Sequence, residues 1–198
     1  MFTYTEIALV PADSLEVYFL PFFQGGVYLK GEIGVSVIRF LVDQTQIDPE
    51  YLGKRIQTVF LDGKAVDGLD SAIVRDGSTL TLSAAMPGLL GATMRVGSHY
   101  ASMRSQVSHQ VDNSGVKSGE GRVLLKLYNL LIRELGPGLL RKGVWIAARR
   151  LGEFFERQPE SFWSECEKAR LNGCPVKAEN IKNGPWTGED VFLRLEEN

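Results

Sequence analysis

Cysteine and histidine are scarce in this chain, with two of each among 198 residues. Cys166 and Cys174 are too few for a disulfide scaffold, and their spacing matches neither a zinc nor a redox motif. A reduced, cytoplasmic chain is therefore expected. An excess of charge of one sign is also missing: Lys and Arg number 22 against 24 Asp and Glu, for a net charge of -2. That balance excludes a general nucleic-acid binder whose affinity rests on neutralising phosphates. No run of about 18 apolar residues occurs, and the N-terminus lacks a basic patch followed by an apolar core, so neither membrane insertion nor a secretory leader is expected. No internal repeat is visible, which sets aside solenoids and propellers. What remains, 44% hydrophobic and 23% charged residues, is the makeup of an ordinary globular chain.

The first half reads mainly as strands. Residues 2–10 alternate apolar and polar side chains, and Pro11 to Asp13 punctuate the run. Residues 15–20 form a second, more apolar strand ending at Pro21, and Gly25-Gly26 turns the chain into a third around Val27 to Leu29. From Val35 the period changes, and Val35, Ile38, Phe40, Leu41 and Val42 suit a short helix. Residues 56–61 and 79–83 read as further strands, each beside an Asp-Gly turn, Asp62-Gly63 and Asp76-Gly77.

The second half reads as helical. The serine- and glycine-rich stretch 105–121 has the composition of a linker or long loop. Beyond it Val123, Leu124, Leu127, Leu130, Leu131 and Leu135 recur at helical spacing until Gly136-Pro137-Gly138. A second helix is expected over 139–155, with an apolar face opposite Arg141, Lys142, Arg149 and Arg150. A third is expected over 161–171, capped by Ser161 and stopped at Asn172-Gly173. The Thr187 to Asp190 spacing suggests a capping box and a short helix over 186–195.

The run VFLDGKAVD from Val59, then Leu69-Asp70, RDGSTLTL from Arg75 and Pro87-Gly88 resembles the closing half of the small sulfur-carrier proteins of molybdopterin and thiamine biosynthesis. The resemblance spans residues 59–88 and implies a β-grasp, or ubiquitin-like, fold for the first part of the chain. Those carriers act through a free C-terminal Gly-Gly. Here the chain continues for 110 residues past Gly88 and no Gly-Gly stands at that place, so the carrier chemistry does not transfer. What the resemblance does imply is a sheet face and a turn at residues 87–91 that could serve as a partner-binding surface.

The chemical motifs are weak. His99 and His109 with Cys166 and Cys174 lie in no ligand or nucleophile pattern, so structural roles are expected and no metal or cofactor is implied. Gly97-Ser98-His99-Tyr100 lacks the second glycine of a nucleophile elbow. Gly115, Gly119 and Gly121 with Lys117 and Arg122 do not match a phosphate-binding loop. Asp62, Asp67, Asp70 and Asp76 are better explained by turn chemistry than by a cation. Between residues 120 and 150 seven Lys or Arg face two Glu, which suits either the solvated face of a core helix or a helix lying on an anionic membrane with Trp145, Phe154 and Phe155.

These readings converge on an α+β chain: an N-terminal β-grasp-like mixed sheet with one helix over 1–101, a linker or long loop over 102–121 and a C-terminal α-helical region over 122–198. The expected function is a non-catalytic protein-interaction or assembly module, acting on a partner protein or by self-association. The expected binding residues are Met86, Pro87, Leu89, Leu90, His99, Tyr100, Arg104, Arg149 and Arg150. Two alternatives are a small-molecule-binding protein or enzyme with a pocket between the halves, around residues 87–104, and a membrane-surface adaptor using the basic helix.

Overall fold

The computed structural model describes residues 4–11, 15–86, 88–104, 107–110, 115–182, 184 and 188–196, with backbone alone at Pro11, Leu90, Ala101, Ser102 and Glu167. Its elements begin with β1 (Thr5–Pro11), α1 (Glu16–Phe19), α2 (Phe22–Gly25), β2 (Val27–Ile33), α3 (Val37–Thr45) and α4 (Pro49–Arg55). There follow β3 (Thr58–Leu61), β4 (Lys64–Ala65), β5 (Thr79–Ser83), α5 (Gly88–Met94), a 3-10 turn (Ala101–Arg104) and β6 (Gly119–Tyr128). The remainder is α6 (Leu131–Lys142), β7 (Val144–Ala147), α7 (Ala148–Glu156), α8 (Glu160–Ser164), β8 (Cys166–Leu171), β9 (Cys174–Val176), α9 (Ala178–Lys182) and β10 (Asp190–Leu195). The chain divides into two compact units, one of residues 23–134 and one formed by residues 1–22 with 135–198.

In the unit of residues 23–134 the strands are ordered β4-β3-β5-β6-β2. Pairing is antiparallel except between β5 and β6, which run parallel with Leu80 opposite Leu125 and Leu82 opposite Leu127. Val123, Leu125 and Leu127 are fully buried while Leu124 and Lys126 between them are half-buried, the period of two that a pleated strand imposes. Helix α3 packs on β2. Its Ser36 hydroxyl accepts the Arg39 N–H at 3.3 Å, satisfying one of the orphan donors at the helix start, and Val37, Phe40 and Leu41 turn inward. Asp48 caps α4 in the same way, accepting from Glu50 N at 2.8 Å just before Pro49. The turn between β3 and β4 places Asp62 and Gly63 at φ of 52° and 77°, the two left-handed positions a tight hairpin demands.

In the other unit the order is β7-β10-β1-β8-β9, with β1 and β10 parallel and the remaining pairs antiparallel. One face of this sheet, carrying Ile7, Leu9, Val144, Ile146, Val191 and Leu193, is fully buried or nearly so. An aromatic cluster joins Phe19 to Phe22, Phe154, Phe155 and Phe162, with ring centroids 5.1 to 6.5 Å apart. Such contacts add directional preference to a large loss of apolar surface from water.

This architecture corrects the expected β-grasp followed by a helical region. Strands β7, β8, β9 and β10 lie wholly within residues 122–198, and β6 covers the first half of what the leucine spacing suggested was a helix, its last residues from Leu131 opening α6. The first 101 residues do not close a sheet of their own, because β6 sits between β5 and β2 and β1 belongs to the other unit. The physical reason is ambiguity in short leucine-rich runs: Val123, Leu124 and Leu127 fit a helical stripe, yet burial selects alternate residues. The error also ran in the opposite direction at residues 15–20. That segment contains helix α1, and Leu15 at its N-cap and Phe19 at its end, four residues apart, are both fully buried. The suggested helix over 186–195 is strand β10 from Asp190, with strict alternation of buried and half-buried residues; Trp186 and Thr187 lie outside the described residues. Within 161–171 the helical reading holds only as far as Ser164, and Cys166–Leu171 is strand β8.

Candidate functional site

The expected binding residues separate into two groups. Met86, Leu89, His99, Tyr100 and Arg104 lie on an excursion between β5 and β6; Pro87 lies outside the described residues, as does the side chain of Leu90. Arg149 and Arg150 lie on α7.

The excursion is held to the sheet by a dense set of backbone bonds. Val96 N–H donates to Gln57 at 2.8 Å, Ala65 N–H to Val107 at 2.8 Å and His109 N–H to Ala65 at 2.8 Å. Asp67 accepts the Gly97 N–H at 3.0 Å and also the Arg104 guanidinium. The Arg104 side chain is only 2% exposed, so it anchors the excursion from beneath instead of facing a ligand. Ser98 is similarly committed: its hydroxyl donates to the Ala92 carbonyl at 2.6 Å and accepts the Tyr100 N–H at 3.1 Å, a turn role that leaves the His99 neighbourhood without the geometry of a nucleophile. Helix α5 begins with Gly88 at φ 76° and approaches the preceding chain so closely that a Cβ at Gly91 would fall 2.0 Å from the Met86 carbonyl oxygen.

On this anchored scaffold four large apolar side chains face solvent: Leu89 at 67%, Tyr100 at 47%, Met103 at 68% and Val107 at 41% exposure. His99 is exposed beside Tyr100, with ring centroids 5.9 Å apart. Helix α5 and the 3-10 turn pack against one another, which joins the two ends of the excursion. Sequence reasoning found Leu89 and Tyr100. It missed Met103 and Val107, whose signal was the presence of apolar residues in a stretch otherwise composed like a linker.

Asp62 and Asp76 stand beside their turn glycines, and their carboxylates also tie distant backbone. Asp62 accepts from Thr79 N at 2.7 Å and Asp76 from Arg122 N at 2.9 Å. Gly121 lies inside β6 opposite Gly31, so the glycines around 115–121 do not open a helix that could hold a phosphate. They flank a shallow charged groove of about 310 Å³ lined by Lys30, Asp76, Glu120 and Arg122, where the Arg122 guanidinium stands 4.9 Å from the Tyr28 ring centre. His109 is half-buried, and burial lowers its pKa from the usual value. The two histidines and two cysteines fall in different units, and no group of three metal-capable side chains is found among the described residues. Cys166 is buried, which pushes its thiol up to about 11, while Cys174 is exposed.

Of the two α7 aromatics expected to suit a membrane face, Phe155 is buried together with Ala148, Leu151 and Gly152, and Phe154 is half-buried. Trp145 lies on β7, against Tyr4 and Phe192 at 4.6 and 5.2 Å. No helix among the described residues is long and apolar enough to cross a membrane. The opposite side of α7 contributes Arg150, Glu153 and Phe154, and the residues just after it Arg157 and Gln158, to an open groove of about 320 Å³, closed on the other side by Tyr18, Pro21 and Phe22. Of this groove, sequence reasoning singled out Arg150 alone as a binding residue. Neither groove includes His99, Tyr100 or Arg104, the residues expected to line a pocket. No protein-family model, curated protein or solved structure matches the chain.

Proposed function

We propose that the protein is a non-catalytic interaction module that presents the excursion between β5 and β6 to a partner protein. The observation that carries this reading is the exposure of Leu89, Tyr100, Met103 and Val107 on a segment that is itself tied to the sheet. Aromatic residues and methionine are enriched in the cores of protein interfaces, and a surface held in place before binding avoids much of the ordering cost. The buried Arg104 and the closely packed Gly91 support the same reading, since both stiffen the backbone beneath the exposed side chains. Both cysteines are free thiols, which fits a cytoplasmic setting for the module.

The test is a photo-crosslinking amino acid placed in cells at Leu89 or at Met103, with the exposed Lys54 as a control position. A discrete adduct of one mass from both excursion sites and none from position 54 is the expected result. No adduct at either excursion site, or the same spread of adducts from all three, would overturn the reading. An adduct with a second copy of the chain would identify the partner as self.

A further inference from the structure

Residues 77–111 contain no Asp or Glu, although the chain carries 24 acidic residues in 198. The two arginines of this stretch have opposite fates. Arg104 is buried against Asp67, whereas Arg95, between α5 and the 3-10 turn, is exposed, and its side chain enters no ion pair or hydrogen bond among the described residues. A carboxylate comes to the same place from outside the stretch. Asp67 uses Oδ1 for both the Gly97 N–H and the Arg104 guanidinium, and its side chain stays 41% exposed, which leaves Oδ2 for a further donor. The Arg104 guanidinium also reaches the Arg95 carbonyl at 3.5 Å, so the exposed cation and the half-exposed carboxylate belong to one small surface. The neighbouring β3–β4 hairpin repeats the balance with Asp62 and Lys64, both exposed. Leu89, Tyr100, Met103 and Val107 together expose on the order of 400 Å², a size at which apolar patches mark interfaces and about half of what each partner gives to a standard complex.

Resting on the reading of this excursion as an interaction surface, we propose that its partner is a second copy of the same chain, the two excursions packing face to face about a two-fold axis. In such an interface every contact occurs twice, so one cation and one carboxylate on each copy are enough to make the surface complementary to itself. Arg95 of one copy meets Asp67 of the other, and the same pair recurs across the axis. A partner with a strong charge of one sign finds no matching field here. The cores of homodimer interfaces are apolar and poor in charged residues, which an acid-free stretch carrying Leu89, Met103 and Tyr100 provides. The area sets the strength: two such patches bury less than a permanent dimer does, so the association is weak and depends on concentration.

The experiment is sedimentation velocity of the purified full chain from about 1 to about 300 µM, over which the monomer is expected to give way to a dimer. Met103→Asp and Arg95→Glu are each expected to weaken the dimer about tenfold or more, the first by charging the apolar patch and the second by setting two carboxylates against each other. Both side chains are exposed, and a thermal melt of each variant checks that the fold is kept. A second measurement places the contact. Met103→Cys and Lys54→Cys, each combined with Cys174→Ser, are treated with a short bismaleimide, and a crosslinked dimer is expected from position 103 and none from position 54. A monomer over the whole range, a dimer that Met103→Asp or Arg95→Glu leaves unchanged, or no excess of crosslinking at position 103 over position 54 would overturn the proposal. Photo-crosslinking in cells separates the two readings: adducts of a different protein at Leu89 and Met103 from a chain that is monomeric when pure reject self-pairing alone, and no adduct at all rejects both.

Discussion

The guanidinium of Arg104 is buried against the carboxylate of Asp67, 37 residues earlier in the chain. The two ends of this pair differ in environment, since the Arg104 side chain is 2% exposed and that of Asp67 is 41% exposed. Among the described residues the arginine Nε and Nη1 find no hydrogen-bond partner, so Asp67 supplies the main compensation for the buried charge.

Removing the carboxylate should therefore cost more than removing the whole pair. Asp67→Asn leaves a buried cation without its counter-charge and is expected to destabilise the protein by about 2 kcal/mol, below the usual range for a fully buried pair because water reaches Asp67. Arg104→Met with Asp67→Asn should recover most of that loss, as apolar replacements of buried pairs often do. Urea denaturation of the single and double variants checks this; equal stability of both would show that the arginine left without its carboxylate carries no penalty.

Acid stability should report the cluster at the start of α6. Arg55 donates to Glu134 through Nε at 2.9 Å and through Nη2, and Tyr51 donates its hydroxyl to the same carboxylate. These hydrogen bonds, the one from Arg55 first, hold the Glu134 carboxyl down to about 2 from an ordinary 4.5. A carboxylate with a lowered folded-state pKa stabilises the fold above its unfolded value. That contribution is present above about pH 4.5 and disappears as pH falls towards 2. Glu134→Gln should cost about 1 kcal/mol or less at neutral pH, given the solvent around the pair, and should flatten this part of the stability profile. Unfolding curves at several pH values between neutral and 2 measure it, and an unchanged slope in the variant would sink the assignment.

Gly143 and Phe192 make the sharpest steric prediction. The glycine stands at φ 98°, and a Cβ there would fall 2.1 Å from the Phe192 ring. Gly143→Ala therefore combines backbone strain with a clash against an aromatic side chain, and is expected to cost about 3 kcal/mol. Gly63→Ala meets nothing within 4 Å at φ 77°, so strain alone applies and about 1 kcal/mol is expected. Thermal melts of the two variants compare these costs directly. The ranking matters more than either value, and reversal would mean the Phe192 ring can move aside.

The site was legible only in parts. Charge density marked Arg149 and Arg150, and turn chemistry marked residues 86–91, because such signals are local. The groove was not legible, since Arg150 and Phe22, which share a hydrogen bond, are 128 residues apart and Tyr18 lies in a segment that reads as a strand. Arg104 was expected as a binding residue, and its burial is something a polar stretch of sequence does not announce.

What the sequence determined by itself is the set of elements with strong local codes. The Ser36 cap and the spacing after it specify α3, the Asp62-Gly63 turn specifies the hairpin from β3 to β4, and Leu80 and Leu82 alternating with threonines specify β5. Tertiary structure alone decided the short apolar runs. Residues 119–128 became a strand because β5 and β2 offer unsatisfied edges on either side, and residues 190–195 because β1 and β7 do the same. Residues 16–19 became a helix whose Phe19 completes an aromatic cluster. In each case the backbone can form either structure, and the hydrogen bonds and buried surface supplied by distant segments select between them.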